Sequence, residues 1–229
     1  MKVLIVVTHL LGTGHLARAL TLARAYLAAG HSVSVTSGGV PAPQLDHGDV
    51  DIIQLPPVRS DGVNFTSLLD AGGIPATDAM MAHRRALLLD HLSSQAPDVV
   101  VTELFPFGRR ILRDEFEALL TAAQEMPHAP LICASIRDIL APPSKPKKAA
   151  LADMFIDTFY DAVLVHSDHD VTPLQLSWPV SSSLAKKLMY TGFVAPPAPI
   201  QHPQGTGTND VIVSAGGGDV GVHIFSAAL

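Results

Sequence analysis

The 229-residue sequence contains a single cysteine, Cys133, and therefore cannot form a disulfide bond within the chain. This cysteine lies in an apolar run, which is typical of a buried thiol in a reducing cytoplasm. Basic residues are also few, because 15 lysines and arginines stand against 21 acidic residues, for a formal net charge of -6. The only basic cluster is three lysines between residues 145 and 148, so the composition argues against nucleic-acid binding.

Long apolar runs are missing as well, and no stretch approaches the length of a transmembrane helix. The apolar segment at the start of the sequence is interrupted by His9. It then leads into a glycine-containing turn without a small-residue cleavage site, which is unlike a secretory signal. Because 48% of the residues are hydrophobic, the chain can nevertheless bury a full core. We therefore expect a globular, cytoplasmic protein.

Short apolar strands alternate with amphipathic helices along most of the chain. The predicted strands cover residues 3–7, 31–36, 51–55, 99–102, 131–135 and 162–166. The predicted helices cover residues 15–30, 80–92, 107–125 and 149–159. This alternation favours an α/β fold with a Rossmann-like, doubly wound parallel sheet, in which ligands bind beyond the carboxyl ends of the strands.

The composition changes after Gly192, where a Pro- and Gly-rich segment resembles a semi-rigid linker. We predict a Rossmann-like domain over residues 1–192, a linker over 193–208, and the start of a second Rossmann-like domain over 209–229. Within that last part, residues 210–214 favour a strand and residues 220–229 a helix. One βα unit cannot bury both faces of a sheet, so we expect a truncated domain whose exposed apolar face promotes oligomerisation or disorder.

The turn after the first strand carries Gly12, Gly14 and His15. The glycines permit a tight turn and a close approach of a ligand to the backbone. His15 lies at the predicted start of a helix, where free N–H groups and the helix dipole favour an anion. The same surroundings lower the pKa of an imidazole, which keeps His15 neutral and able to accept a proton.

Four segments together carry a family resemblance: residues 12–15, residues 97–103, the Pro-rich linker and residues 213–218. Their order and spacing resemble glycosyltransferases built from two Rossmann-like domains (the GT-B type). The resemblance is to the branch of the bacterial lipid-II N-acetylglucosaminyltransferase and its uncharacterised relatives. It implies transfer of a sugar from a nucleoside diphosphate sugar to an acceptor hydroxyl. The acceptor would lie on the first domain, and the donor on a second domain that this sequence is expected only to begin.

The resemblance also implies roles for individual residues. His15 would be the general base that deprotonates the acceptor hydroxyl. Glu103, where plant-type transferases commonly have aspartate, would accept the other imidazole N–H and fix the tautomer, or would contact the acceptor instead. Donor phosphate would be bound by two glycine-rich loops: Gly12, Thr13, Gly14, Gly216, Gly217 and Gly218. Candidate acceptor contacts share a position in loops: Ser37, Gly38, Gly39, Arg59, Asp61, Phe105, Arg137 and Asp138. The last two could equally form a structural ion pair.

We expect no cofactor, because the nucleoside diphosphate sugar is itself a substrate. The first loop lacks the third glycine of a dinucleotide-binding fingerprint, and no acidic residue ends the second strand, which argues against NAD. Residues 166–170 contain two histidines and two aspartates, but no matching cluster occurs elsewhere in the sequence, so no metal site is expected. The expected partners are a sugar nucleotide and an unidentified acceptor. A lipid acceptor would bring peripheral membrane association, and the incomplete second domain would promote a homo-oligomer.

Two other functions stay open. Residues 14–18 also resemble the GHxxR turn of nucleotide-sugar hydrolases of this architecture, in which the histidine would activate water. A chain without a donor domain would instead be a non-catalytic remnant that binds an acceptor or a partner. Analysis of products separates the two enzymes, since only a hydrolase releases free sugar from the donor when no acceptor is present.

Overall fold

The computed structural model describes residues 1–62, 67–196, 198, 200, 202–214 and 222–229. The strands in these ranges are β1 Lys2–Val7, β2 Ser32–Ser37, β3 Asp51–Gln54, β4 Val58–Arg59, β5 Leu69–Asp70, β6 Val99–Glu103, β7 Leu131–Arg137, β8 Ala162–His166 and β9 Leu188–Tyr190. The α-helices are α1 Gly14–Ala28, α2 Asp78–Gln95, α3 Arg113–Gln124, α4 Pro146–Phe159, α5 Ser182–Ala185 and α6 Val222–Ala228. Two 3₁₀ turns, Arg110–Leu112 and Leu174–Leu176, complete the regular structure of the described residues.

Seven strands form one sheet in the order β3-β2-β1-β6-β7-β8-β9, and every neighbouring pair is parallel. The predicted α/β class with a Rossmann-like, doubly wound parallel sheet is therefore confirmed. From β1 the chain first builds outward through β2 and β3, then returns to place β6 on the other side of β1. In open sheets of this kind the loops diverge where the strand order reverses and leave a crevice beyond the carboxyl ends. The crevice of this sheet lies between β1 and β6.

The sheet has a core on each face. Successive side chains of a strand point to opposite faces, so Ile5 packs in one core with Leu20 of α1. Leu4 packs in the other core, which also contains Phe116 of α3 and Phe155 of α4. Because both faces of β1 are covered, its sequence is apolar at consecutive positions, as expected for a central parallel strand. These two cores hold the carboxyl ends of β1 and β6 in fixed positions.

Several short elements were not predicted from the sequence. The hairpin of β4 and β5 consists of two-residue strands, and β9 has three residues, which is too short for a recognisable alternation. The helix predicted over residues 107–125 begins only at Arg113, after the 3₁₀ turn. Arg109, just before that turn, has a φ of 57°, a left-handed conformation that a continuous right-handed helix cannot contain.

The strand predicted over residues 210–214 is wrong. In the described part of the chain, residues 210–214 are not assigned to a strand, and the side chains of Val211 and Ile212 are 91% and 84% exposed. A strand needs a neighbouring strand for its hydrogen bonds, and neither sheet of the described residues includes this segment. The predicted helix at the end of the sequence is present as α6, and none of its residues is buried. The domain boundaries after residues 192 and 208 stay predictions.

None of the described helices is both long and apolar enough to cross a membrane.

Candidate active site

The loop between β1 and α1 and the end of β6 meet at the crevice of the sheet. His15 is the second residue of α1, and Glu103 is the last residue of β6. Since β1 and β6 are neighbours, Nδ1 of His15 lies 2.9 Å from Oε1 of Glu103. The two residues that the sequence analysis paired are therefore in hydrogen-bond contact, 88 positions apart in the chain.

Glu103 is almost completely buried, with 1% of its side chain exposed, and both of its carboxylate oxygens accept hydrogen bonds. Oε1 also accepts from Nη2 and Nε of Arg18, at 2.6 and 3.1 Å. Oε2 accepts from the hydroxyl of Ser135 at 2.5 Å. A buried carboxylate is costly unless it is paired and hydrogen-bonded, and here both oxygens are satisfied.

The network continues from Ser135 to the next strand. Its hydroxyl lies 2.9 Å from Nε2 of His166 at the end of β8, and Nδ1 of His166 lies 2.8 Å from Oγ1 of Thr191. Four residues from three strands and the loop after β9 therefore form one chain of hydrogen bonds behind His15.

The donors and acceptors of this chain have one consistent arrangement. Nδ1 of His15 lies 2.9 Å from Oε1 of Glu103 and 3.2 Å from Nη2 of Arg18. An ionised carboxylate only accepts, so Nδ1 carries a proton and donates it to Glu103, and Nη2 of Arg18, itself a donor, makes its hydrogen bond to Glu103 at 2.6 Å and not to Nδ1. The lone pair of the neutral His15 ring then lies on Nε2. Likewise the Ser135 hydroxyl donates to Glu103 and accepts from Nε2–H of His166. The network thus selects the tautomer of His15 that can take a proton at Nε2.

The pKa shifts agree with this arrangement. Burial alone would raise the pKa of Glu103, but the hydrogen bond from His15 and the charge of Arg18 outweigh it and hold that pKa below its ordinary value. Burial lowers the pKa of His15, with the charge of Arg109 acting in the same direction and the hydrogen bond to Glu103 opposing it. Burial lowers the pKa of His166 to about 4. His15 is therefore neutral at pH 7, for a reason dominated by burial and not by the helix dipole alone.

Two adjoining clefts open at this place. The smaller one has a volume of 450 Å³, and besides two leucines its lining consists of polar and glycine residues: Gly12, Gly14, His15, Arg18, Arg109 and Arg137. The larger has a volume of 770 Å³ and a mixed lining that includes Thr13, Gln44, Arg59, Ser60, Asp61 and Val40. Leu10, Leu11 and Gly12 contribute to both, so the two clefts meet at the loop after β1.

The glycines of the two loops differ in their surroundings. A Cβ atom at Gly12 or Gly14 would meet no atom of the described residues within 4 Å, so the packing of those residues does not require a glycine there. A Cβ at Gly39 would instead lie 2.4 Å from the carbonyl oxygen of His9, and one at Gly38 would lie 2.3 Å from Oγ1 of Thr8. The first loop therefore has open space above its backbone, and the second loop is packed tightly against the first.

Four of the candidate acceptor contacts lie away from both clefts. Ser37, Gly38 and Gly39 are buried, and their close contacts with the loop after β1 explain the glycines as packing residues. Phe105 is 1% exposed and stacks on Phe116 with ring centroids 4.6 Å apart, which places it in the hydrophobic core. All four residues are therefore buried, and none of them lines either cleft.

The other candidate contacts are at the clefts or beside them. Arg59 lines the larger cleft and Arg137 the smaller one. Nε of Arg137 also lies 3.1 Å from Oδ1 of Asp138, so the ion pair that the sequence left as an alternative is present. The loop of Gly216, Gly217 and Gly218 lies outside the described residues.

Four residues of the site were not assigned to it from the sequence. Arg18 is the arginine of the GHxxR turn but was given no role there; it lies three residues after His15 and therefore on the same helix face, which helical spacing could have indicated. Ser135 and His166 end predicted strands, but only the order of those strands shows that they adjoin Glu103. Arg109 reaches the cleft through a left-handed backbone conformation that has no signature in the sequence.

No group of three metal-binding side chains occurs among the residues that the structure describes. In the segment 166–170, His166 contacts Ser135 and Thr191, and His169 contacts Asp170. Hydrogen bonds within the protein therefore account for both histidines of that segment.

No family model matches the sequence, and a search of curated proteins also found no match. Among solved structures, the chain is similar to a glycosyltransferase of Streptomyces sp. SF2575, with 17% identity and a TM-score of 0.45 over 72% of this chain and 50% of that one. It is similar to MurG of Acinetobacter baumannii, with 14% identity and a TM-score of 0.46 over 86% and 46%. It is also similar to UDP-N-acetylglucosamine 2-epimerase from Rickettsia bellii, with 12% identity and a TM-score of 0.44 over 81% and 46%. The chain spans about half the length of these structures, and likeness at this level does not specify chemistry.

Proposed function

We propose that the chain is the acceptor-binding part of a glycosyltransferase that moves a sugar from a nucleoside diphosphate sugar to an acceptor hydroxyl. The observation that carries the proposal is the His15–Glu103 pair, in which Nδ1–H is held by a buried carboxylate and Nε2 is left for the cleft. A histidine held in this tautomer is a general base suited to neutral pH. The motifs that resemble glycosyltransferases in the sequence include both members of the pair.

The reaction requires a base because a neutral hydroxyl is a weak nucleophile. As the acceptor oxygen attacks the anomeric carbon, its proton passes to Nε2 of His15 and the bond to the nucleoside diphosphate breaks. The imidazolium that forms is stabilised by the Glu103 carboxylate, while Arg18 and Ser135 keep that carboxylate in position. Glu103, Arg18 and Ser135 are thus positioning residues for His15.

Activation of water by the same histidine would make the protein a hydrolase. The volume of the larger cleft, 770 Å³ next to His15's own cleft, favours an acceptor larger than water. Donor consumption distinguishes the two: with a nucleoside diphosphate sugar alone we expect the donor to persist, and with an acceptor we expect glycosylated product. Rapid release of free sugar in the absence of any acceptor would favour the hydrolase.

His15→Gln tests the base directly in the protein that carries this chain. We expect turnover to fall by about 10²–10⁴-fold, because loss of a positioned base has effects of that size, while the free energy of unfolding changes little. The matched control is His83→Gln, an exposed histidine of α2, which should leave turnover unchanged. Equal turnover in the His15 variant and the unaltered protein would exclude His15 as the base.

A further inference from the structure

The cleft beside His15 has an unusual charge balance. Three arginines line it, although the whole chain has a formal net charge of -6. Arg18 is paired with Glu103, and Arg137 with Asp138, so each of these two charges is already balanced by a carboxylate. Arg109 has no carboxylate within ion-pair distance among the residues that the structure describes. The cleft therefore has an excess positive charge at Arg109.

The guanidinium of Arg109 is fixed at one end and free at the other. Its Nε donates to the carbonyl oxygen of Thr8 at 2.5 Å, which anchors the side chain to the loop after β1. In the described part of the chain, no contact within hydrogen-bond distance is found for its two terminal nitrogens. Terminal N–H groups of an anchored guanidinium present donors in a geometry that matches the oxygens of a phosphate or carboxylate.

Arg109 is also held in this position at an energetic cost. A left-handed φ of 57° costs a non-glycine residue on the order of 1 kcal/mol. Burial lowers the pKa of Arg109 to about 10, only partly opposed by the charge of Glu103, so its positive charge is incompletely stabilised by the protein. An anion in the cleft would supply the missing stabilisation.

Space for such an anion exists next to the arginine. The backbone at Gly12 and Gly14 forms part of the same cleft, and no atom of the described residues lies within 4 Å of where a Cβ would stand on either glycine. His15 lines this cleft too, so an anion there would lie beside the hydroxyl that His15 activates.

We propose that the cleft of His15 binds an oxyanion, a phosphate or a carboxylate, through the terminal nitrogens of Arg109, so that the preferred substrate has a negatively charged group close to the attacking hydroxyl. The proposal deepens the proposed function, since it rests on His15 acting at that hydroxyl. The anion can belong to the acceptor or to the diphosphate of the donor, and the two sources share the same chemistry at Arg109.

Binding of inorganic pyrophosphate, measured by isothermal titration calorimetry, tests the site without any turnover. We expect Arg109→Gln to weaken binding by about tenfold or more, because charge-assisted hydrogen bonds are lost. Arg109→Lys should restore part of the affinity by keeping the charge. The matched control is Arg85→Gln, which removes the same charge from an exposed position of α2 and should leave binding unchanged.

Arg137→Gln provides a second variant that does not depend on the backbone at Arg109. Its side chain is 54% exposed and already paired with Asp138, so we expect a weakening of up to about fivefold. Pyrophosphate binding that is absent at millimolar concentration, or that is equal in the unaltered chain and in both cleft variants, would overturn the proposal.

Uridine diphosphate then identifies the source of the anion. Binding no tighter than pyrophosphate supports an acidic group on the acceptor, and binding that is tighter and still depends on Arg109 assigns the site to the donor diphosphate.

The experiments also distinguish failure of His15 as the base from failure of the anion site. Arg109-dependent anion binding together with His15-independent turnover would contradict the proposed function and keep the anion site. The reverse pair of results would overturn the anion site alone.

Discussion

Two arginine–glutamate pairs of this molecule, each with a buried carboxylate, differ in how their hydrogen bonds are distributed. Between α2 and α3, the two oxygens of Glu115 accept from Nε and Nη2 of Arg84, at 3.0 and 2.9 Å. Nη1 of Arg84 donates to the carbonyls of Gly38 and Pro56. The hydrogen bonds of this pair are therefore made between its two side chains and to the backbone. We call it the closed pair.

The pair of Arg18 and Glu103, the open pair, divides its hydrogen bonds differently. Glu103 shares its oxygens among Arg18, His15 and Ser135, and His15 is 23% exposed at the cleft. The same ion-pair chemistry therefore has two uses. Where the hydrogen bonds are made within the protein, as in the closed pair, the ion pair joins two helices, α2 and α3. Where one partner is an imidazole at a cleft, it sets the tautomer and the pKa of that imidazole.

Breaking the closed pair should have the largest effect on stability. Arg84→Met leaves the Glu115 carboxylate buried without a partner and removes donors from two backbone carbonyls, so we expect a loss of about 3–5 kcal/mol in the free energy of unfolding. Urea titration measures this loss. The neighbouring Arg85→Met on the exposed side of α2 is the control, with a change within about 0.5 kcal/mol. Similar values for the two variants would show that the closed pair does not stabilise the fold.

The hydrogen bonds behind the open pair should make stability depend on pH. The folded state keeps His166 neutral down to about pH 4, whereas the unfolded chain protonates it near 6.5. Since the unfolded state binds more protons between these values, the contribution is complete above pH 6.5 and decreases as the pH falls. Its full loss is about 3 kcal/mol.

Urea titrations at several pH values measure this dependence. His166→Gln keeps an N–H donor for Ser135 without a titrating ring, so the difference between the two proteins isolates His166 from the acidic residues. An equal pH dependence in both would contradict the low pKa of His166.

The loop after β1 and the loop after β2 also differ in how tightly their glycines are packed. Gly39→Ala places a methyl group against the carbonyl of His9, and we expect a loss of about 1–3 kcal/mol in the free energy of unfolding. Gly12→Ala adds its methyl group to open space, and we expect an unchanged value or a gain of up to about 1 kcal/mol. Thermal unfolding of the two variants compares them directly. A loss at Gly12 as large as at Gly39 would mean that both loops are closed.

The smallest expected effect concerns the imidazole of the open pair. Glu103→Gln removes the carboxylate whose hydrogen bond and charge raise the pKa of His15, so this pKa should fall further below its ordinary value. Titration of the His15 ring followed by NMR measures the change. Glu117→Gln, at an exposed position of α3, is the matched control and should leave the pKa of His15 unaltered. A His15 pKa that does not respond to Glu103→Gln would exclude the proposed coupling.

Much of the main sheet could be predicted because its signals are local. Apolar runs such as residues 3–7 and 99–102 identify strands by composition and length, and the spacing of apolar residues after His15 identifies α1. The wrong strand prediction, in contrast, has a non-local cause. Residues 210–214 have the composition of a strand, yet a strand forms only with a partner, and composition contains no information about partners.

The candidate site could be predicted only in part. Gly12, Gly14 and His15 follow one another in the sequence, so their common position was accessible from the motif. The glycines at 38 and 39 have the same composition as a ligand-binding loop, but they are glycines because the loop of His9 packs on them. A glycine in a sequence does not distinguish space kept open for a ligand from space filled by a neighbouring backbone.

By itself the sequence determined where most strands and helices lie and that an imidazole stands at the turn after the first strand, because periodicity and turn residues act over a few positions. Only the tertiary structure decided that β6 lies beside β1 and β7 beside β6. That order depends on crossover connections between segments far apart in the chain, and no local pattern specifies it. It brings Glu103, Ser135 and His166 together behind His15, and it determines which arginines reach the cleft.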